Sequence, residues 1–379
     1  MLTVNLTRKV KPSCICAGQF LLAAFLFFSP SLTAQKLQPG FDKAESLDML
    51  RIAARVVDTP WTAANVQLPE PTGYKLVYRS PTVGLENKWD FWRNNDARAV
   101  ISIRGTTLEP VSWLANFYAA MVPATGSIQI SNSFTFNYKL AENPRAAVHV
   151  GWLVAMGCLQ ADIVEKINAA YREGVHDIIL TGHSQGGAIT YLLTSHLLYL
   201  QKDGKLPRDI QFKTYCGAAP KPGNLYYAYD YENVTGYGWA FNVVNAADWV
   251  PEVPFSVQTV NDYNNINPFK NAKAVIKKQG FPKNLVLKRV YKNMTKPSLK
   301  AQCRYQKYLG KMLSKEVKKT LPEFKPPKYF DSNHYVRTGT MIVLMPDVAY
   351  FQQYPETDET KIFIHHLPGP YHFLMEKRE

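Results

Sequence analysis

The amino-acid sequence predicts an α/β fold with a mostly parallel central sheet flanked by helices. Three observations predict it: short apolar runs typical of buried strands, long helical segments between them, and an apolar strand that passes through a glycine-rich turn into a helix at residues 178–200. The 379 residues are 46% hydrophobic and 20% charged, a globular balance that excludes a disordered or fibrous chain.

The predicted elements alternate along the chain. Strands are predicted from short runs of β-branched and aromatic residues, and helices from apolar residues at helical spacing. The predicted strands are 74–78, 88–92, 99–103, 178–180, 212–216, 241–244 and 340–344. The predicted helices begin near residue 48 and continue with 113–121, 150–171 and 185–201, and Asn94-Asn95-Asp96 is predicted to form a hairpin turn. We therefore expect one domain over residues 35–379, with an insertion at about 255–330 before the last strand.

The first 34 residues are predicted to be a secretory signal peptide. Arg8, Lys9 and Lys11 precede an apolar run over 14–28, and Ala34 is a small residue suited to cleavage. A membrane anchor is the weaker alternative, because spanning a bilayer takes about 20 apolar residues and this run is shorter. We therefore expect a secreted or periplasmic protein.

The positive charge of the chain is concentrated in the insertion. The formal net charge is +14, yet residues 270–329 alone hold 16 Lys and 2 Arg against Glu316 and Glu323. The rest of the chain is therefore close to neutral, and nucleic acid is not an expected partner.

One basic helix is predicted within the insertion, beginning at Pro297-Ser298. A basic stripe is expected opposite an apolar face that contains Leu309, Met312, Leu313 and Val317. Such a helix either contacts an anionic membrane surface or is a solvated charged face over a packed underside, and both interpretations stay open. The stripe consists of Lys300, Arg304, Lys307, Lys311, Lys315 and Lys318.

The strongest chemical signal is the sequence G-x-S-x-G around Ser184. It follows the apolar strand 178–180 and leads directly into a helix, the context in which a serine oxygen is exposed on a sharp turn at a helix N-terminus. Gly182 and Gly186 remove side chains that would collide where the strand and the helix cross. Ser184 is therefore predicted to be a nucleophile for acyl transfer.

Acyl transfer also needs hydrogen-bond donors for the developing oxyanion and an acid that orients the base. The backbone N–H of Gln185 is one such donor by position, and the strand ending at Arg104-Gly105-Thr106 leads to a hydroxyl residue as a second. Asp248 follows the apolar strand 241–244, at the strand end where α/β folds carry functional residues. A structural Asp that caps the turn before Pro251 is the alternative.

Five segments occur in an order typical of one family. They are Arg104-Gly105-Thr106 ahead of Trp113, VHVGWL at 148–153, GHSQGG at 182–187, GAAPKPGN at 217–224 and VVNAADWVP at 243–251. The sequence resembles the class 3 lipases, the fungal triacylglycerol lipase-like group of the α/β-hydrolase fold, over about 48–254 and more weakly over 335–374. The resemblance implies an α/β-hydrolase-type fold. It also implies a triad of Ser184, Asp248 and a later His, with Thr106 and Gln185 as the oxyanion hole.

The identity of the base depends on the C-terminal region. The chain order Ser, Asp, His leaves His334, His365, His366 and His372. In the resembling family the histidine is followed by an aromatic that packs the last helix, and the spacing of His366 to Tyr371 fits that pattern. We therefore predict His366, with His365 and His372 as alternatives. A metal site at the adjacent His pair is not favoured, because no further ligand lies at suitable spacing.

An amphipathic stripe follows the predicted oxyanion turn. It consists of Trp113, Leu114, Phe117, Tyr118 and Met121, which recur at helical spacing. In the resembling family this position is the lid that covers the acyl pocket. An ordinary core helix is the alternative.

The sequence as a whole predicts a secreted serine carboxylic-ester hydrolase, a lipase that acts on lipid acyl esters. This chemistry requires no metal ion and no organic cofactor. The five cysteines contain no C-x-x-C pair, which excludes a zinc ribbon or a thioredoxin-type site. The expected partner is a lipid or other acyl ester substrate, and an anionic membrane surface is a further partner under the first of the two interpretations of the basic helix. The alternative function is an inactive hydrolase fold that binds lipid or envelope surface through the basic insertion.

Overall fold

The computed structural model describes residues 37–56, 68–95 and 97–378. The predicted signal peptide, its cleavage point at Ala34, and Asp96 of the predicted turn lie outside the described residues.

The described residues contain thirteen strands and ten helices, apart from short turns of other helical types. The strands are β1 (Tyr74–Arg79), β2 (Trp89–Asn94), β3 (Arg98–Ile103), β4 (Met121–Pro123), β5 (Thr125–Gln129), β6 (Thr135–Lys139), β7 (Ala147–His149), β8 (Asp177–His183), β9 (Gln211–Gly217), β10 (Gly223–Asn224), β11 (Ala240–Asn245), β12 (Tyr335–Val336) and β13 (Thr340–Leu344). The α-helices are α1 (Lys43–Ala53), α2 (Pro110–Phe117), α3 (Val150–Arg172), α4 (Gln185–Lys202), α5 (Leu225–Thr235), α6 (Ala272–Lys277), α7 (Lys283–Gln306), α8 (Leu313–Thr320), α9 (Val348–Gln353) and α10 (Pro368–Lys377).

A seven-stranded sheet in the order β1-β2-β3-β8-β9-β11-β13 forms the centre of the fold. In this order, neighbouring strands from β3 to β13 pair in parallel. At one edge of the sheet, β1 pairs antiparallel with β2, and β2 pairs antiparallel with β3. The predicted mostly parallel sheet flanked by helices is confirmed. Parallel pairing brings the carboxyl ends of β3, β8, β9 and β11 to one edge, which is where the predicted site residues follow.

Helices cover both faces of the sheet, so its central strands are buried on both sides. Ile178 and Leu180 of β8 pack into the cluster that contains α3 and α4, whereas Ile179, pointing the other way, packs with α1 and α10. This burial on both faces explains why β8 appears in the sequence as a continuous apolar run.

The helix predicted over 113–121 ends earlier than expected. α2 ends at Phe117, and Met121 begins β4, which pairs with β7 opposite His149. The backbone of 115–118 passes very close to Gly151, where a Cβ would lie 2.1 Å from the Ala115 carbonyl oxygen. Helical spacing could not distinguish this buried strand from another helical turn, because both are apolar.

The prediction that a helix begins at Pro297 was wrong. α7 begins at Lys283 and contains Pro297 in its interior. The hydroxyls of Thr295 and Ser298 donate hydrogen bonds to nearby backbone carbonyls in this stretch, and the missing N–H of one proline interrupts only one rung of a helix of 24 residues. Beyond α7, a π-helical turn at Lys307–Met312 leads into α8. Of the predicted apolar face, Val317 is fully buried, whereas Met312 is exposed.

The described residues contain three free cysteines, Cys158, Cys216 and Cys303. None of the helices described is both long and apolar enough to span a membrane.

Candidate active site

Ser184 lies on a strained turn between β8 and α4. Its backbone has φ 61° and ψ −130°, in the left-handed region that non-glycine residues rarely occupy. The N–H of Ser184 donates to the carbonyl of Gly217 at 2.9 Å, which fixes the turn to the neighbouring strand β9. The sequence predicted this sharp turn from the pattern of residues on either side of Ser184.

Gly182 and Gly186 are required because the backbone passes too close to admit a side chain. A Cβ at Gly182 would lie 2.4 Å from the Gly186 carbonyl carbon, and one at Gly186 would lie 2.2 Å from the Ile103 carbonyl oxygen. These contacts hold the start of α4 against the ends of β3 and β8. They also bring Gly105 and the Ser184 turn together, since a Cβ at Gly105 would lie 3.7 Å from the Ser184 Cβ.

Asp248 and His366 meet by a short hydrogen bond, although 118 residues separate them. The Nδ1 atom of His366 lies 2.7 Å from Oδ2 of Asp248. Tyr371 O–H donates to the same oxygen at 2.7 Å, and the N–H of Val250 donates to Oδ1 at 2.9 Å. The carboxylate side chain is fully buried and accepts from three donors.

These donors determine the charge state of Asp248. Burial raises the pKa of a carboxyl group, but the hydrogen bond and charge of His366, followed by the bonds from Val250 and Tyr371, outweigh that effect. The pKa of Asp248 is therefore lowered from its ordinary value, and the group is a carboxylate at neutral pH. Such a carboxylate can orient an imidazole and stabilise its protonated form.

The alternative histidines have other partners. His365 contacts the Tyr350 hydroxyl through Nδ1 at 2.7 Å and Glu356 through Nε2 at 3.1 Å. His372 accepts from Arg51 through Nε2 at 3.2 Å. Only His366 of these three lines the cavity that contains Ser184. Among the described residues no group of three or more His, Cys, Asp or Glu is arranged to hold a metal ion.

The predicted oxyanion residues lie beside each other and share a hydrogen-bond network. Thr106 Oγ1 donates to Oε1 of Gln185 at 3.3 Å and accepts from Nδ2 of Asn116 at 2.9 Å. Asn116 is itself held by Trp152, whose indole N–H donates to Oδ1 at 3.0 Å. The sequence analysis did not single out Asn116, because its relation to Thr106 depends on how α2 packs against the start of α3.

A cavity of about 370 Å³ contains the predicted site residues. Its lining includes Thr106, Ser184, Gln185 and His366, while Asp248 lies behind His366. Most of the remaining lining is aromatic or aliphatic, which suits an acyl chain better than a polar substrate. These apolar residues include Trp113, Phe117, Trp152, Trp249, Val250, Phe255, Leu309 and Phe363.

Residues 100–258 match the family model described as “Lipase (class 3)”. The resemblance to the class 3 lipases is confirmed for this region. The match includes the Ser184 turn, Thr106 and Asp248 and ends at residue 258, close to the start of the insertion, and it supports a lipase-type hydrolase. With the sheet order described above, the predicted α/β-hydrolase-type fold class is confirmed as well.

Solved structures of fungal lipases are also similar to the chain. The Rhizomucor miehei lipase propeptide complex is 19% identical, with a TM-score of 0.42, over 57% of this chain and 65% of that chain. The mono- and diacylglycerol lipase from Aspergillus oryzae is 17% identical, with a TM-score of 0.41, over 57% of this chain and 76% of that chain. The chain thus spans slightly less than two thirds of the Rhizomucor chain. No curated protein matches the sequence.

His183, next to Ser184, contacts the backbone of the candidate base His366. Its Nε2–H donates to the carbonyl oxygen of His366 at 2.7 Å, and the two rings lie 5.1 Å apart. Burial and the neighbouring His366 lower the pKa of His183 to about 3, so it is neutral at physiological pH. No role for His183 was predicted from the sequence, and in the structure it supports the loop that carries His366.

The predicted lid stripe is divided between two environments. Trp113 and Phe117 of α2 line the cavity and their rings stack 5.9 Å apart, and Phe117 is exposed. Tyr118 and Met121 are fully buried. The first part of the stripe thus lines the cavity, and the second part is core.

Replacing Tyr371 with Phe is expected to destabilise the protein by about 1–2 kcal/mol at neutral pH, because one of three donors to a buried carboxylate is lost. Asp248 has a lowered folded pKa, so its carboxylate contributes stability above the unfolded pKa, and that contribution is lost as pH falls through the folded pKa. The loss in free energy of unfolding caused by Tyr371→Phe should therefore be smaller at acid pH. Urea unfolding at neutral and at acid pH measures it.

The matched control for this prediction is Tyr118→Phe. Tyr118 is as deeply buried, but its hydroxyl contacts the neutral hydroxyl of Tyr329 at 2.9 Å. The loss in free energy of unfolding caused by Tyr118→Phe should not change over the same pH range. Equal pH dependence in the two variants would contradict the role given to Tyr371.

Proposed function

We propose that the protein is a serine hydrolase of carboxylic esters that acts on lipid acyl esters. The observation that supports this most strongly is the 2.7 Å contact between His366 and the buried Asp248, at the wall of the cavity that also contains Ser184. The proposal is further supported by the class 3 lipase match over residues 100–258.

In the proposed mechanism, the Ser184 hydroxyl attacks the ester carbonyl. Asp248 engages Nδ1 of His366, so Nε2 is the nitrogen left to take the serine proton and return it to the leaving alcohol. The imidazolium that forms is stabilised by the Asp248 carboxylate. Water then repeats the sequence on the acyl-enzyme and releases the acid.

The oxyanion of the tetrahedral intermediate is proposed to be stabilised by the N–H of Gln185 and the hydroxyl of Thr106. Gln185 is the first residue of α4, where backbone N–H groups lack partners within the helix and the helix dipole favours negative charge. The Thr106 hydroxyl donates to the Gln185 side chain in the structure described here. Donation to an oxyanion thus requires the hydroxyl to turn from that acceptor to the substrate.

A lipid substrate is proposed because of the character of the cavity. Aromatic and aliphatic side chains from α2, from residues 249–255 and from Phe363 line it around a few polar groups. Each methylene of an acyl chain that leaves water for such a surface stabilises the complex by about 0.8 kcal/mol. We further propose that Trp113 and Phe117 act as a cover of this cavity.

The expected location and domain organisation also remain proposals. We propose that residues 1–34 are a signal peptide, that residues 35–379 are one hydrolase domain with a basic insertion, and that the mature protein is secreted or periplasmic. An anionic membrane surface is the proposed partner of the insertion, and no nucleic-acid partner is proposed. These proposals are supported by the residue pattern of the first 34 residues and by the charge distribution along the chain.

The purified protein is expected to hydrolyse p-nitrophenyl esters, with kcat/KM rising from the acetate to medium-chain esters by a few-fold per added methylene until the cavity is filled. The measurement is a chain-length series, run in parallel with labelling by a fluorophosphonate probe that reacts with activated serines. Absence of both turnover and labelling would contradict the proposal. It would instead favour the alternative, an inactive hydrolase fold that binds lipid or envelope surface through its basic insertion.

A further inference from the structure

Residues 266–300 form a helical segment, here called the basic arm, which exposes large apolar side chains. The arm contains α6 and most of α7. Ile266 is 97% exposed, Phe281 81% and Met294 76%. Such a concentration of exposed apolar side chains on one segment indicates a surface that contacts something other than water. The other exposed apolar residues of the arm are Phe269, Val275, Leu285, Val286 and Val290.

Three of these side chains form a stripe along α7. Val286, Val290 and Met294 recur every fourth residue, so they lie along one side of the helix, and all three are exposed. Lys288, Lys292 and Lys296 recur with the same spacing and lie on the opposite side of the helix. α7 is thus amphipathic.

The side of α7 that packs on the rest of the chain is of mixed polarity. It contains the half-buried Leu287 and Tyr291 together with Asn284, Thr295 and Ser298, whereas the apolar stripe faces outward. A surface helix of a globular protein normally packs its apolar side on the core and exposes its polar side. The core of the described residues therefore gives no reason for the apolar stripe.

The charge of the arm selects among possible partners. From residue 270 to residue 304 the chain has nine Lys and two Arg, and it has no Asp or Glu between Asp262 and Glu316. A helix with an apolar side and a face rich in Lys suits the interface of an anionic lipid layer, where the apolar side chains enter the acyl region and the cations meet headgroup phosphates. A soluble polyanion would use the cations but leave the apolar stripe in water.

The helix α7, which supplies most of the arm, ends beside the cavity. Tyr305 near the end of α7 and Leu309 just beyond it line the cavity that contains Ser184. Phe117 and Phe255, also in that lining, are 53% and 80% exposed. A lipid surface that bound the arm would therefore lie against an element that borders the proposed acyl site.

We propose that the basic arm docks the protein on an anionic lipid surface, with Val286, Val290 and Met294 in the apolar layer and the lysines at the headgroups. This docking does not depend on the proposed hydrolysis. Binding is therefore tested in the Ser184→Ala variant, so that no vesicle lipid is consumed and a failure of one proposal leaves the other intact.

The charge contribution is tested by sedimentation with vesicles of phosphatidylcholine, with and without phosphatidylglycerol. We expect binding only to the anionic vesicles and weaker binding as salt rises. Adding Lys288→Gln, Lys292→Gln and Lys296→Gln should lower the partition coefficient about a hundredfold, since each cation near such a surface contributes about 1 kcal/mol. The control variant carries Lys75→Gln, Lys202→Gln and Lys205→Gln, an equal charge change outside the arm, and should bind within roughly threefold of its parent.

The apolar contribution is tested with Val286→Gln, Val290→Gln and Met294→Gln, which keep good helix formers on an exposed surface. Binding to the anionic vesicles should fall roughly tenfold or more. The control variant replaces three exposed apolar residues outside the arm, Val77, Met345 and Val348, by Gln and should bind as its parent does. Circular dichroism and urea unfolding verify that each variant is folded.

Three results would overturn the proposal. One is equal binding of the arm variants and their controls. Another is equal binding to neutral and anionic vesicles. The third is binding to heparin, a soluble polyanion, without binding to anionic vesicles, which would assign the cations to a different class of partner.

Discussion

Replacing Ser184 with Ala is expected to lower kcat for ester hydrolysis by about 10⁶-fold, the loss typical of removing the nucleophile of a serine triad. The proposed oxyanion donors and the cavity remain in this variant, so binding of the ester should persist while the acyl-enzyme can no longer form. The measurement combines steady-state hydrolysis of a medium-chain p-nitrophenyl ester with fluorophosphonate labelling. Both should disappear together.

A second substitution at the same position separates catalysis from folding. Ser184 has φ 61°, which costs a residue with a Cβ about 1–2 kcal/mol. Ser184→Gly should therefore be more stable than the parent protein in urea by roughly that amount, reduced by the greater flexibility of Gly in the unfolded chain. It should also be inactive. A strained serine whose removal stabilises the protein and abolishes turnover is one kept for chemistry rather than for packing.

The matched control is Ser195→Ala, on the same helix. Ser195 is buried and its hydroxyl lies 3.0 Å from the Tyr227 hydroxyl, away from the cavity. This variant should lose about 1 kcal/mol of stability and keep its kcat. Turnover that survives in Ser184→Ala, or that disappears equally in Ser195→Ala, would refute the assignment of the nucleophile.

The sequence was sufficient for those parts of the site that depend on neighbouring residues. The turn at Ser184 is specified by the apolar strand before it, the two glycines at the crossing and the apolar helix after it, all within about twenty residues. The close approaches at Gly182 and Gly186 are the physical reason that the local pattern is informative. The parallel sheet could be predicted for a similar reason, because burial on both faces favours short runs rich in apolar residues, such as 178–180.

Contacts between distant parts of the chain could not be predicted in this way. Tyr371 reaches Asp248 across 123 residues, and the sequence analysis assigned Tyr371 only a packing role. Asn116 supports Thr106 only because α2 packs against α3, and His183 supports His366 across 183 residues. No spacing rule links such pairs, since their proximity is set by the sheet order and by the packing of the C-terminal segment on the sheet.

The basic insertion shows a different limit. Periodicity correctly indicated an exposed cationic stripe with Val317 beneath it, but it placed the start of the helix at Pro297 when α7 begins at Lys283. A proline is a good marker of a helix start when the first turn is otherwise unsupported. Here fourteen residues of helix precede it. No local pattern indicates that a proline is accepted within this largely exposed helix.

Replacing His366 with Asn is expected to lower kcat about as much as Ser184→Ala, by roughly 10⁶-fold, with little loss of stability. The amide N–H of Asn can take the place of Nδ1–H and donate to Asp248, so the buried carboxylate keeps a partner. Asn has no atom in the place of Nε2, however, and no group that can take the proton of Ser184. The substitution thus removes proton transfer while it preserves a hydrogen bond to Asp248.

The same substitution at the two neighbouring candidates provides the comparison. His365→Asn and His372→Asn disturb contacts with Tyr350, Glu356 and Arg51, and each should cost about 1–2 kcal/mol of stability in urea. Their kcat should stay within about tenfold of the parent, because neither imidazole contacts Asp248 or lines the cavity with Ser184. The effects on activity and stability are therefore expected in opposite order: His366→Asn inactive but stable, the other two active but less stable. If His365→Asn or His372→Asn abolished turnover in a folded protein while His366→Asn retained it, the base would have to be reassigned, and the Asp248–His366 contact would then be a structural one.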